Sequence, residues 1–208
     1  MNQRAGLFIT LEGGEGAGKS TAARGLADML RAEGYTVLTT REPGGTPGAE
    51  AMRALLLSTT IKLDPLAQTM LHFAARADLV ESVIRPALAR GEIVICDRFY
   101  DSTMAYQAYG LDVDVSAVAS LIRLINLRPD LTFMLEVSEE TANKRRTARG
   151  GAPDRYEEMG ADFMARVAHG FHAIAASEPG RCALIDAEPP AETVVAAMRR
   201  IIRDRTGR

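Results

Sequence analysis

The feature that most constrains this chain is the glycine-rich stretch LEGGEGAGKST at residues 11–21, which holds four glycines in eleven residues. A glycine inside a helix or strand costs roughly 0.5–1 kcal/mol relative to alanine, so the stretch favours neither. It follows an apolar run at 6–12 and precedes a helical pattern at 18–33. Residues 13–20, GGEGAGKS, match the G-x-x-x-x-G-K-[ST] loop, whose backbone N–H groups surround phosphate oxygens at a helix N-terminus. The sequence therefore predicts a phosphate-binding loop.

Apolar runs alternate with helical patterns along the rest of the chain. This alternation is typical of βαβ units, and nearly continuous apolar strands are typical of a parallel sheet covered on both faces. We therefore expect one three-layer α/β domain over residues 1–208 with a five-stranded parallel sheet. The predicted strands are 6–12, 35–40, 92–96, 131–137 and 181–186, and the predicted helices are 18–33, 48–58, 64–90, 101–109, 113–127, 138–148, 157–177 and 190–204.

Composition argues against several classes of protein. The formal net charge is -2, whereas a surface that coats nucleic acid is strongly basic. The N-terminal apolar run is too short for a signal peptide, and no segment approaches the roughly 18 apolar residues of a membrane span. Cys96 and Cys182 lie in apolar runs and form no disulfide framework. We expect a cytoplasmic protein that binds neither nucleic acid nor membrane, with both cysteines in its core.

The glycine-rich loop contains the residue types that bind a nucleotide and its metal. Lys19 is predicted to neutralise the β- and γ-phosphates, and the Ser20 hydroxyl to hold Mg²⁺. Asp97 ends the third predicted strand, where a second carboxylate reaches the same metal. The predicted nucleotide-binding residues are Gly13, Gly14, Glu15, Gly16, Ala17, Gly18, Lys19, Ser20 and Thr21.

Two acidic residues of the stretch need a separate explanation. A Glu15 carboxylate that pointed inward would repel phosphate, so we expect it to face a donor such as a sugar hydroxyl. That orientation indicates a second substrate beside the nucleotide. Glu12 is interpreted as a strand-end residue without a chemical role.

A second group of polar residues follows the third predicted strand in ICDRFYDSTMAYQ. Asp97 and Arg98 come first, and this pair alone is equally consistent with a local ion pair. Hydroxyl-bearing and amide side chains then recur at helical spacing, which indicates a pocket wall beside the phosphate loop. Arg53 follows the Gly-Pro-rich loop TREPGGT, and HFAARAD places an aromatic side chain within one helical turn of Arg76. An arginine and an aromatic ring together suit a planar base.

Four features together resemble the bacterial thymidylate kinase (dTMP kinase) family over residues 6–204: the loop LEGGEGAGKST, the stretch TREPGGT, the string CDRFYDSTMAYQ and a basic segment at 143–158. The string D-R-F-x-x-S-T-x-A-Y-Q carries most of the resemblance. It implies a P-loop NTPase fold, transfer of the γ-phosphoryl group of MgATP to dTMP, and a homodimer. In the basic segment, Gly150, Gly151 and Pro153 should interrupt the helical pattern and leave a mobile loop, which is either a solvated connection between helices or, because it follows the fourth strand, a lid.

The resemblance also implies residue roles. Arg98, with Arg53, would hold the dTMP phosphate and take part in catalysis, and Glu15 would face the 3′-hydroxyl. Glu42 and Pro43 of TREPGGT belong to the same substrate site. The residues implied to contact the base and sugar are Arg76 and Gln107 at the thymine edge, Thr103 in the pocket wall, Tyr106 against the sugar, and Phe73 as the stacking platform in preference to His72.

Family members differ in where they carry the arginine that stabilises the transferring phosphoryl group. Some carry it in the P-loop, at the position that is Gly16 here, and others carry it in the lid. The resemblance therefore implies Arg149 as the catalytic lid arginine, with Arg145 and Arg155 as weaker candidates that would serve equally well as lid anchors. Such an arginine contributes roughly 10³–10⁵ in rate.

Three alternatives remain for the function. A kinase for another nucleoside monophosphate is disfavoured by Arg76, Tyr106 and Gln107. A nucleotide-dependent switch is disfavoured by the second phosphate-binding arginine and the basic lid, and an inactive binding module by the full set of catalytic residue types. His169 and His172 lie three residues apart on a predicted helix and are expected to pack rather than to bind metal.

Overall fold

The computed structural model describes residues 5–150, 155–156 and 159–208, and of Arg149 the backbone alone. Its strands are β1 (Leu7–Glu12), β2 (Val37–Arg41), β3 (Ile93–Asp97), β4 (Leu131–Glu136) and β5 (Cys182–Asp186). All pair in parallel, in the spatial order β2-β3-β1-β4-β5. The predicted α/β class and five-stranded parallel sheet are confirmed.

The helices follow the predicted order, with one kind of difference. The predicted helix 64–90 is continuous helical backbone divided by a π-helical stretch, Val80–Ile84, and the predicted helix 101–109 ends in a second one, Met104–Gly110. π-Helical turns inside α-helices are frequent at functional sites. The α-helices are α1 (Lys19–Ala32), α2 (Pro47–Leu57), α3 (Pro65–Leu79), α4 (Arg85–Ala89), α5 (Tyr100–Thr103), α6 (Val115–Ile125), α7 (Glu139–Arg149), α8 (Ala161–Ser177) and α9 (Ala191–Thr206).

The helices cover both faces of the sheet, because successive side chains of a strand point to opposite faces. Ile9 and Leu11 of β1 pack with α1 and α9, which contact each other. Phe8 packs on the other side, with α3, α6 and the helical backbone that follows β3. The result is the predicted three-layer arrangement. None of the helices in the described part of the chain has both the length and the apolar character that a membrane crossing requires.

Parallel pairing places the functional sequences at one edge of the sheet. In the register of β1 and β3, Leu11 lies opposite Asp97, so the glycine-rich loop after β1 and the Arg98 turn after β3 leave the sheet side by side. The segment after β2 joins them, because Arg41 also lies opposite Asp97. Ligands of open α/β sheets bind outside these carboxyl ends.

Candidate active site

The P-loop backbone has a positive φ, which favours glycine, at three positions, and each of them is a glycine. Gly13 has φ 133°, and a Cβ there would lie 2.4 Å from the carbonyl oxygen of Leu135. Gly18 precedes α1 with φ 88°, and no described side chain caps the helix, whose first turn contains no acidic residue. The N–H groups at this end of α1 are therefore left for an anionic ligand.

Lys19 lies folded over the P-loop. Its Nζ donates to the carbonyl oxygens of Gly13 at 3.0 Å and Gly14 at 2.7 Å. Burial, followed by the positive charge of Arg98, lowers the pKa of Lys19 to about 8. The ammonium is held where a phosphate in the adjacent cleft would meet it. That cleft is lined by seven of the predicted nucleotide-binding residues, Glu15, Gly16, Ala17, Gly18, Lys19, Ser20 and Thr21.

Ser20 and Asp97 meet beside the same cleft. The Ser20 hydroxyl donates to Oδ2 of Asp97 in a short hydrogen bond. Hydroxyl and carboxylate oxygens are the ligands that Mg²⁺ prefers, and this ion usually takes only one or two protein ligands besides phosphate and water. The two residues therefore fit the predicted metal site. The described residues contain no cluster of three or more His, Cys, Asp or Glu side chains that would form a protein-only metal cage.

A second cavity of about 540 Å³, its open mouth included, lies next to the cleft. Glu15, Arg53 and Arg98 line both cavities, so the two spaces join beside the P-loop. The predicted substrate-binding residues that line the second cavity are Glu15, Glu42, Pro43, Arg53, Arg76, Arg98, Thr103, Tyr106 and Gln107.

Arg76 and Glu42 form a buried ion pair in the wall of the second cavity. Arg76 is 2% exposed, and its Nε and Nη2 lie 2.8 and 2.6 Å from Oε2 of Glu42. Nη2 also donates to the Thr103 hydroxyl at 3.0 Å. Nη1 of Arg76 and Oε1 of Glu42 are buried without a hydrogen-bond partner among the described residues. Buried polar groups are nearly always paired, so this ion pair is less completely satisfied within the protein than is usual.

Arg98 lies between the P-loop and the second cavity. It is a non-glycine residue with φ 69°, a left-handed conformation that is rare for arginine. Its Nη1 donates to the carbonyl oxygen of Gly13 and to the Ser102 hydroxyl, each at 3.0 Å. Nη2 forms a short ion pair with Glu15, and the guanidinium carbon lies 5.2 Å from the ring centre of Tyr106. The two predicted residues thus contact each other where the cavities join.

The far wall of the second cavity differs from the prediction at His72 and Phe73, and it also contains Tyr156, which was not predicted. His72 lines the cavity, whereas Phe73 lies in the core with the Arg76 guanidinium 4.5 Å from its ring centre. One helical residue is a turn of about 100°, which is enough to move Phe73 to the core side. The structure therefore places His72, and not the predicted platform Phe73, in the cavity wall. Burial, with the charges of Arg76, Arg98 and Arg53, lowers the pKa of His72 to about 3, so its ring is neutral.

Tyr156 also lines the second cavity and was absent from the predicted site residues. Its hydroxyl oxygen lies 3.1 Å from Nε2 of His72 and accepts from Nε2 of Gln107 at 3.0 Å. Its ring stacks on Phe163. Tyr156 belongs to the predicted lid segment, so an aromatic residue within a basic lid was the available signal.

Glu12 has more contacts than its interpretation as a plain strand-end residue suggests. It is 0% exposed and accepts hydrogen bonds from the Phe99 N–H at 2.7 Å and the Ser102 hydroxyl at 2.5 Å. Burial, followed by the charge of Asp101, raises the pKa of Glu12, while the Ser102 hydrogen bond, the charge of Arg98 and the Phe99 N–H oppose this shift. Glu12 does not line the second cavity.

The described part of the lid contacts the P-loop through α7. A Cβ at Gly16, which has φ 79°, would lie 2.6 Å from the carbonyl oxygen of Ala142 in α7, so this packing leaves no room for a P-loop arginine. Nη1 of Arg145 reaches the Gly16 carbonyl oxygen at 3.5 Å, and Nη2 donates to that of Ala187 at 2.9 Å. Arg149 is the last residue of α7.

Part of the lid prediction lies outside the described residues. This holds for the Arg149 side chain and for residues 151–154 and 157–158 of the predicted lid. Gly150 is described, with φ 68°. Arg155 contacts the carbonyl oxygen of Leu63 at 3.4 Å, as expected of a lid anchor.

The remaining predictions concern histidines and cysteines. His169 packs edge-on against Tyr109. His172 has a carboxylate partner that its sequence neighbourhood did not indicate, because its Nε2 lies 3.0 Å from Glu136 of β4. Cys96 and Cys182 are buried free thiols, as predicted.

Comparisons with known proteins agree with this geometry. The model of the family described as thymidylate kinase matches residues 11–198. A thymidylate kinase of Gluconobacter oxydans is 52% identical over 203 residues, which cover 96% of this chain and 95% of that protein. One of Caulobacter vibrioides is 47% identical over 97% of this chain and 98% of its own length. The crystal structure of thymidylate kinase from Ehrlichia chaffeensis has a TM-score of 0.79 at 34% identity and covers 95% of this chain and 99% of its own. The chain belongs to the thymidylate kinase family.

Proposed function

We propose that this chain transfers the γ-phosphoryl group of ATP to dTMP, giving dTDP and ADP, with the residue roles set out below. The observation that carries the proposal is the incomplete Arg76–Glu42 pair in a cavity that joins the P-loop cleft. A base with carbonyl and N–H groups at its edge would supply the partners that these atoms lack once its binding uncovers them, since both atoms are buried in the free protein. The opposite end of the cavity is cationic, as a monophosphate requires.

The P-loop side of the site binds ATP. Backbone N–H groups of the loop and of the first turn of α1 surround the phosphates, and Lys19 exchanges its carbonyl partners for phosphate oxygens. Ser20 and Asp97 would hold Mg²⁺, which when bound offsets charge on the β- and γ-phosphates. Gly13 and Gly14 contribute to phosphate binding through the turn that their backbone makes.

The second cavity binds dTMP. Arg98 and Arg53 lie where the cavities join and hold its phosphate, and the Glu15 carboxylate accepts from the 3′-hydroxyl. Arg76 and Gln107 donate to the thymine edge, Thr103 holds Arg76, and Tyr106 packs against the sugar. Neutral His72 takes the stacking position, and Glu42 and Pro43 complete the wall.

The reaction needs alignment and charge neutralisation more than proton transfer. The attacking oxygen of dTMP belongs to a phosphate that is already anionic, so no protein base has to remove a proton. Arg98 bridges the P-loop and the acceptor phosphate, which brings the attacking oxygen to the γ-phosphoryl group. Arg149 supplies the charge that Gly16 cannot, and closure of the lid excludes water.

The proposal includes two statements about the protein in the cell. We propose a homodimer, supported by the apolar side chains that α3 and α6 expose, Met70 and Leu124, the latter 79% exposed. Light scattering of the purified chain measures its mass directly. We also propose a cytoplasmic location, supported by the free thiols Cys96 and Cys182, since disulfides are rare in that compartment.

The experiment that tests the function is a panel of nucleoside monophosphates assayed for ADP production. We expect the highest kcat/KM with dTMP and a lower value with dUMP, because one methyl group in an apolar pocket contributes about 1–3 kcal/mol. Lys19→Ala, folded by circular dichroism, should be inactive with every substrate. Faster turnover of AMP or GMP would contradict the assignment, and ATP hydrolysis independent of any monophosphate would indicate a nucleotide switch.

A further inference from the structure

The turn that carries Arg98 is held by a residue outside the substrate cavity. Arg98 has a left-handed backbone, and nothing intrinsic to arginine favours that conformation. Its own N–H donates to the Leu11 carbonyl oxygen at 2.9 Å, and the next N–H, that of Phe99, donates to Oε1 of Glu12 at 2.7 Å. Adjacent residues of β1 therefore fix both sides of the turn.

Glu12 also reaches the Arg98 side chain through one hydroxyl. Oε2 of Glu12 accepts from the Ser102 hydroxyl at 2.5 Å, and the same oxygen of Ser102 accepts from Nη1 of Arg98 at 3.0 Å. The hydroxyl proton is committed to Glu12, so the lone pairs of Ser102 are turned toward Arg98. This chain of contacts directs the guanidinium toward the junction of the two cavities.

We propose that Glu12 is a positioning residue for the acceptor phosphate, which acts by holding Arg98 in its left-handed turn and aiming its guanidinium through Ser102. This inference rests on the proposed function, in which Arg98 binds the phosphate of dTMP. Glu12 itself touches no substrate. A carboxylate suits the task because its two oxygens accept one bond from the backbone and one from the side chain of the same turn.

The test uses Glu12→Gln, which keeps one acceptor for Phe99 and replaces the other by an amide donor. Calorimetry measures the binding of dTMP and of thymidine, which lacks the phosphate. We expect Glu12→Gln to weaken dTMP binding about tenfold, as for loss of one hydrogen bond linked to a charged group, and to leave thymidine binding within about twofold. A purely structural role would weaken both ligands equally.

Two further variants separate this proposal from the one on which it rests. Arg98→Met removes the phosphate contact, and the double variant with Glu12→Gln should bind dTMP no more weakly than Arg98→Met alone. If Arg98→Met retains wild-type dTMP affinity, the role of Arg98 is wrong and the role of Glu12 with it. If Arg98→Met loses affinity while Glu12→Gln does not, the role of Glu12 alone is wrong.

A folding control and a second variant, Ser102→Ala, complete the test. Circular dichroism of Glu12→Gln measures whether the variant folds, and its thymidine affinity measures whether the base site is intact. Ser102→Ala breaks only the side-chain link and should lower dTMP affinity selectively if Glu12→Gln does not fold. Equal loss for dTMP and thymidine, or no loss, in Ser102→Ala would overturn the proposal.

Discussion

Two buried arginine–carboxylate pairs in this molecule, Arg181–Asp101 and Arg76–Glu42, differ in how completely their atoms are paired. Arg181, at the start of β5, is 3% exposed and makes five hydrogen bonds with its five N–H donors. Asp101 accepts two of them, at 2.7 and 2.8 Å, and Glu178 and Thr132 accept the others. This pair is complete within the protein.

The Arg76–Glu42 pair is incomplete. Nη1 of Arg76 and Oε1 of Glu42 have no partner among the described residues, although both atoms are buried. An unsatisfied buried polar group costs about 1–3 kcal/mol, so the arrangement is unfavourable in the free protein. The complete pair belongs to the core and the incomplete pair lines a cavity, and we infer that a bound base completes the second one.

The largest effect is expected from breaking the complete pair. Arg181→Met leaves Asp101 buried without its partner and should lower the free energy of unfolding by about 3–5 kcal/mol. Urea unfolding measures this loss. Because neither residue of the pair lines the cavity, the folded variant should bind dTMP within about twofold of wild type by calorimetry. A large loss of dTMP affinity would mean that both pairs serve the site.

The next effect is a pH dependence of stability that arises from Glu42. Burial, opposed by Arg76, raises the pKa of Glu42 to about 7, against an ordinary value of 4.5. Below pH 4.5 the carboxyl is protonated in the folded and unfolded chain alike; between pH 4.5 and 7 the folded chain keeps a proton that the unfolded chain has lost. Relative to Glu42→Gln, wild type should therefore lose up to about 3 kcal/mol as pH rises through this window.

Urea unfolding of both proteins at several pH values measures this difference. Glu50→Gln is a matched control in the neighbouring helix, because Glu50 is solvated and its pKa is lowered by the Gly45 N–H and Arg41. Relative to Glu50→Gln, wild type should not lose stability as pH rises. If the difference in stability between wild type and Glu42→Gln does not change with pH, Glu42 is ionised in both the folded and the unfolded chain over this range.

Breaking the incomplete pair should act chiefly on ligand binding. Arg76→Met removes a charged donor to the base and should weaken dTMP binding by a factor of about 10–100, which corresponds to 1.5–3 kcal/mol. Its loss of stability should be smaller than that of Arg181→Met, since Arg76 makes fewer hydrogen bonds and Glu42 becomes neutral. Calorimetry with both methionine variants tests the contrast. Equal dTMP affinities in the two variants would contradict the claim that only the Arg76–Glu42 pair contributes to dTMP binding.

The smallest effect is expected at the edge of the cavity. Tyr156→Phe removes the hydroxyl that contacts His72 and Gln107, which is worth about 0.5–1.5 kcal/mol. Because both side chains keep their places in the wall, dTMP affinity should change less than tenfold, measured as above. A loss as large as that of Arg76→Met would make Tyr156 a principal contact of the base.

Local sequence patterns predicted the sheet and much of the site. Strand bounds were correct to within two residues, because apolar runs and glycine-rich turns are local signals. The P-loop and the Arg98 turn were predicted together because parallel strands end at one edge of a sheet. The two π-helical stretches were not predicted, since the apolar periodicity of a helix does not mark one inserted residue.

The features that sequence missed depend on contacts between distant residues. Tyr156 meets His72 across 84 residues, and Glu12 meets Phe99 across 87. The sequence did not indicate which face of α3 turns to the cavity, and that face contains His72 and not Phe73. Nothing in the neighbourhood of Asp101 indicates that Arg181 is its partner, 80 residues away.

The central claim is that the base of dTMP completes the Arg76–Glu42 pair, and the most direct measurement is a crystal structure of this chain with dTMP bound. The account predicts Nη1 of Arg76 within about 2.7–3.2 Å of a carbonyl oxygen of the thymine ring, with the dTMP phosphate on Arg98. A structure in which Nη1 of Arg76 contacts only protein or water, with the base bound elsewhere, would contradict it.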